Sequence, residues 1–131
     1  MRYEYAADLQ RVAEDMCDLL FPHVQTKSIM CFRSYGTSST RTIARCHTLD
    51  KIMQKALGRG SFYVLEFLTE HFEKQSVEDK LKTILHELMH IPKTFGGGFK
   101  HHDFVTHRNV DKYYSAYIKK KNEIKKNQTT F

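Results

Sequence analysis

Apolar and polar positions alternate along this chain with two different periods, and the changes of period mark its elements. Leu9, Val12, Ala13, Met16, Leu19 and Leu20 fall on one side of a helix from about Tyr5 to Phe21, closed by Pro22. The stretches Ser28 to Tyr35 and Thr42 to Thr48 read as strands, and the Gly36-Thr37-Ser38-Ser39 region between them predicts an antiparallel hairpin. A short helix is expected from Asp50 to Leu57, ending near Gly58, and the aromatic and aliphatic run Phe62 to Leu68 reads as the next strand. The helical period returns with Leu81, Ile84, Leu85 and Leu88 at i, i+3, i+4 and i+7. Ser76 with Asp79 forms its N-terminal cap signal and Pro92 its stop, so this helix spans about Val77 to Ile91. Val110, Tyr113, Tyr114, Tyr117 and Ile118 share one face of a final helix.

These elements make a compact α+β domain: a small, mostly antiparallel sheet, an N-terminal packing helix, a central helix from Val77 and a C-terminal helix. A length of 131 residues accommodates one core and one domain, 1–131, with no room for a separate specificity domain. No apolar run approaches the roughly 20 residues needed to span a bilayer, and Met1-Arg2-Tyr3-Glu4-Tyr5 lacks the apolar stretch of a signal peptide. A cytoplasmic protein with no membrane partner is the expectation. Cys17, Cys31 and Cys46 are widely spaced and form no Cys-x-x-Cys pair, which argues against a disulfide framework or a cysteine metal ribbon. Cys46 and His47 are adjacent on a strand and point to opposite faces, so they do not make a thiol-protease pair.

The net charge is +6, concentrated in a basic tail from about residue 119, where Lys119, Lys120, Lys121, Lys125 and Lys126 lie. Such a tail could recruit nucleic acid, an acidic protein or an anionic surface, and its blander role is to place cations at the carbonyl pole of a helix. A protein that binds DNA through this tail, with any metal site secondary or inactive, is the alternative functional reading.

The leading reading comes from His86-Glu87-Leu88-Met89-His90. At 3.6 residues per turn the two histidines share a face about one turn apart, so both imidazoles can reach one tetrahedral zinc ion. Glu87 projects beside the ion, where it can take a proton from a water that the metal has acidified to a pKa of roughly 7. A structural metal site would have no need of that glutamate; it would close its coordination with a fourth ligand such as Asp103 or His101.

A catalytic zinc requires a third protein ligand. Lys93 and Gly96 stand where the extended metzincin pattern needs Gly and His, and the only later glutamate, Glu123, lies in the lysine-rich tail. Asp103 and Asp111 are possible carboxylate ligands. His101 and His102 are better placed, because Gly96-Gly97-Gly98 can turn the chain back toward the helix end. His102 is the preferred ligand, with His101 as an outer-shell or substrate-contacting group; His107 is a further choice. Tyr113 or Tyr114 could donate to a developing oxyanion.

His86-Glu87-Leu88-Met89-His90-Ile91-Pro92, Phe95-Gly96-Gly97 and a basic residue before His102 together resemble the metallopeptidase domain of phage and archaeal proteins, a small relative of SprT-like zincins. Upstream, Ala44-Arg45 and Gln54-Lys55-Ala56-Leu57 precede Tyr63-Val64-Leu65-Glu66 in a similar order, so the resemblance covers roughly residues 28 to 115. It implies a zincin-like fold, His86, His90 and His102 as ligands, Glu87 as acid/base, and a protein or peptide substrate. Lys100-His101 replaces the Arg-Pro usual before the final histidine, which leaves the choice between His101 and His102 open. In such an arrangement the edge of the strand Phe62 to Leu68 would pair with an extended peptide.

Overall fold

The computed structural model describes residues 1–94, 96, 98 and 104–128. Among them are four strands, β1 (Arg2–Tyr5), β2 (Ile29–Tyr35), β3 (Ala44–Thr48) and β4 (Tyr63–Leu68). Five helices accompany them: α1 (Ala7–Leu20), α2 (Lys51–Leu57), α3 (Thr69–Phe72), α4 (Val77–Met89) and α5 (His107–Gln128). The strands form one mixed sheet in the order β1-β2-β4-β3, with β2 and β4 parallel and the two outer pairs antiparallel.

The predicted hairpin between β2 and β3 does not form, because β4 lies between them. Five of the six β4 residues are buried: Tyr63, Leu65 and Phe67 lie in the core and Glu66 is paired with Arg45 and His47 on the other face, a pattern suited to a central strand. The connection from Gly36 to Ile43 instead crosses the end of β4, where the Leu68 N–H donates to the Ile43 carbonyl at 2.9 Å. The Gly36 N–H donates to a Glu70 carboxylate oxygen at 2.7 Å, and a His71 ring nitrogen lies 2.7 Å from the Ser39 carbonyl oxygen, which anchors this crossing to the start of α3. The placement also corrects the expected role of β4: both of its edges are taken, so it has none to offer a peptide.

β1 was not expected: Arg2-Tyr3-Glu4-Tyr5 alternates charged and aromatic residues over only four positions, all of them exposed, too short a run to mark a strand. It exists because β2 leaves an edge that Arg2 to Tyr5 satisfy in antiparallel register, Tyr5 opposite Phe32. The helix following it therefore starts at Ala7 rather than near Tyr5.

One face of the sheet carries the core. Ile29, Cys31, Tyr63, Leu65 and Phe67 meet Leu9, Ala13, Met16 and Cys17 of α1, Ile84, Leu85 and Leu88 of α4, and Val110 and Tyr117 of α5. Gln10 ties α1 to β2: its side-chain amide donates to the Ile29 carbonyl at 3.0 Å and its oxygen accepts the Cys31 N–H at 2.7 Å, so this buried polar group is paired on both sides. The basic tail is the last part of α5, and part of it holds that helix in place. Lys120 donates to the Leu19 carbonyl at 2.9 Å, Lys121 pairs with Asp15 at 2.9 Å, and the Tyr117 hydroxyl donates to Asp15 at 2.7 Å. None of the described helices is long and apolar enough to cross a membrane.

Candidate metal centre

The helix that carries the candidate ligands is fixed at both ends. The Ser76 hydroxyl accepts the Asp79 N–H at 3.1 Å as its N-cap, and His90, at the C-cap, donates its N–H to the Glu87 carbonyl at 3.2 Å. Ile84, Leu85, Leu88 and Met89 bury the opposite side of α4 in the core. The remaining stripe, Lys82, Thr83, His86 and His90, is thereby turned toward a cleft of about 480 Å³.

Three surfaces bound that cleft. One is the α4 stripe, a second is the stretch Arg41 to Ala44 leading into β3, and the third is the start of α5 with His107, Val110 and Asp111. Lys82 joins two of these surfaces by pairing with Asp111 at 3.0 Å. The start of α5 is itself fixed, since the Thr106 hydroxyl accepts the Asn109 N–H at 3.2 Å and the Asn109 amide donates to the Phe104 carbonyl at 2.7 Å.

Within the cleft the Nε2 atoms of His86 and His90 lie 3.3 Å apart, with their ring centroids separated by 5.0 Å. One donor atom each from His86, Glu87 and His90 falls within a 4.8 Å span, a donor set able to hold a metal ion. Both imidazoles are half-buried and Glu87 is buried, at 5% exposure. Burial penalises the charged carboxylate and pushes its pKa up to about 7. A carboxyl group in that range can both accept and return a proton near neutral pH.

Asp111 and His107 reach the cleft, although neither joins the close cluster of His86, Glu87 and His90. The carboxylate of Asp111 is engaged by Lys82. Tyr113 packs instead against Phe21, with ring centroids 5.3 Å apart, and Tyr114 lies under the Lys82 ammonium; neither tyrosine lines the cleft, so the oxyanion role expected of them is not supported. His101, His102 and Asp103 lie outside the described residues.

Cys46 and His47 do diverge as strand geometry requires. His47 turns to the far side of the sheet, where its Nε2 lies 2.7 Å from Glu66, while Cys46 packs against the core and burial raises its thiol far above the usual range. Cys17 and Cys31 are buried free thiols, each pushed up to about 12 by desolvation, which makes them inert packing groups.

Sequence reasoning missed the wall formed by Arg41 to Ala44. No local signal marks it, because it reaches the site only through the placement of β3 at the sheet border. Lys82 and Thr83 were missed as well, although their place four and three positions before His86 on the same helical face was a signal that could have found them.

A family model described as "Putative phage metallopeptidase" matches residues 1–128. No curated protein and no solved structure matches the chain significantly.

Proposed function

Since the chain belongs to the phage metallopeptidase family, we propose that it is a zinc-dependent endopeptidase of SprT-like type, with His86, His90 and His102 as ligands and Glu87 as acid/base. The observation that carries this reading is the separation of the two Nε2 atoms. Nitrogens each about 2.0–2.1 Å from one tetrahedral zinc stand about 3.3 Å apart, and the pair in this protein stands at 3.3 Å. In the metal-free protein the same separation suits an N–H···N hydrogen bond between the rings, which keeps the site preorganised.

His102 supplies the third position by the family resemblance, with His101 beside it as an outer-shell or substrate-contacting group; His107 is the alternative donor among the described residues. When bound, the ion contributes Lewis acidity toward a peptide carbonyl. Glu87 takes the proton of the attacking water and delivers it to the departing amine, which its raised pKa suits. β3 forms one border of the sheet and the residues leading into it line the cleft, so an extended chain can lie along their backbone groups beside the ligands. Recognition through backbone groups is consistent with an endopeptidase of loose sequence preference, acting on protein or peptide.

Elemental analysis of the purified protein, with His86→Ala and His102→Ala variants, tests the metal assignment. About one zinc per chain in the parent, lost in both variants, is the expected result. Retention of zinc in His102→Ala with loss in a His107→Ala variant would transfer the third ligand to α5, and absence of zinc after reconstitution would remove the peptidase reading.

A further inference from the structure

Helix α2 is built inside out. Of its seven residues only Gln54 is not exposed, and that side chain donates to the Leu49 carbonyl at 2.8 Å and to the Gly96 carbonyl at 3.4 Å. The apolar residues Ile52, Met53, Ala56 and Leu57 face solvent, with Ile52 at 75% and Leu57 at 60% exposure. The helix is nevertheless well made, capped by Asp50 accepting the Met53 N–H at 2.9 Å and closed by Gly58 at a φ of 67°. A capped helix that inserts its glutamine and displays its aliphatic side chains presents a surface for something outside the chain.

We propose that α2 is a docking element for an anionic lipid surface. Lys51, Lys55 and Arg59 accompany the apolar stripe, and the whole chain carries +6, so the field around the helix favours a negatively charged partner. A second copy of this chain would set like charges against one another. A lipid surface needs no matching contour, takes apolar side chains one at a time and responds to cations additively. The absence of a spanning segment does not bear on this mode of attachment, in which the helix lies at the headgroup boundary.

The test uses the full chain with sucrose-loaded vesicles of phosphatidylcholine, either alone or with roughly one-third phosphatidylglycerol, followed by sedimentation. Binding is expected to the anionic vesicles and not to the neutral ones, with release in high salt. An Ile52→Ser/Leu57→Ser variant, altered only at exposed positions, is expected to partition about tenfold more weakly while keeping its metal content and thermal midpoint. A Lys125→Gln/Lys126→Gln variant controls for the α5 tail. The proposal is overturned by absence of binding at low salt, by binding that follows the α5 lysines and ignores Ile52 and Leu57, or by a concentration-dependent dimer that the double serine variant dissociates. Metal content and peptide cleavage are read separately, so failure of the lipid assay leaves the peptidase reading intact.

Discussion

Lys82 of α4 and Asp111 of α5 meet at 3.0 Å across the cleft, one helical turn before His86 on the same face of α4. Their pair fastens the α5 wall to the helix that carries the candidate metal ligands. Both side chains are partly solvated, so the pair contributes little to folding.

Asp111→Ala should therefore change function more than stability. A rise of several-fold in KM for a peptide substrate, with kcat affected less and Tm lowered by no more than a few degrees, is the expected pattern. An unchanged KM would show that the α5 wall plays no part in substrate binding.

Glu87→Gln keeps the shape of the buried side chain and removes its ability to carry a proton. Turnover should fall by about two to four orders of magnitude with metal content unchanged. Elemental analysis beside a cleavage assay separates the two effects, and a variant that cleaves at the parental rate would dismiss Glu87 as acid/base.

His86→Ala and His90→Ala should each abolish stoichiometric metal binding, yet leave the metal-free fold largely intact, because both side chains are half-buried on the cleft side of α4. Circular dichroism of the variants should match that of the chelated parent. Collapse of the fold in both variants would instead indicate that the histidines are structural.

Acid stability should depend on Arg33, which bridges α1 to the segment after α3 by pairing with Asp8 at 2.7 Å and Glu73 at 2.7 Å. The hydrogen bond from Arg33 holds the Asp8 carboxyl at about 2, below its ordinary 3.8. A carboxylate with a depressed folded-state pKa stabilises fully above the unfolded value and loses that contribution as pH falls through the folded one. The parent should thus lose part of its stability between about pH 4 and pH 2. Arg33→Met should flatten that part of the curve in denaturant titrations. An identical pH dependence in the variant would count against the pair.

The expectations that succeeded were local ones. Asp50 and Gly58 bound α2, Ser76 caps α4, and the stripe Leu81, Ile84, Leu85 and Leu88 turns His86 and His90 away from the core, all through interactions within a few residues of one another. The pairing of strands was not legible in the same way. β1 offers only Tyr3 and Tyr5 on one side of a four-residue run, too short a signal to announce it, and the separation of β2 from β3 follows from the insertion of a more hydrophobic strand that comes later in the chain.

The sequence by itself determined the existence of most helices and strands and the juxtaposition of His86, Glu87 and His90, because caps, helical period and i, i+4 spacing act over a single turn. Only the tertiary structure decided that β4 is central, that Arg41 to Ala44 and the start of α5 wall the cleft, and that the aliphatic side of α2 faces outward. Those outcomes arise from competition among distant segments for a limited area of sheet edge and core, and no window of residues contains the terms of that competition.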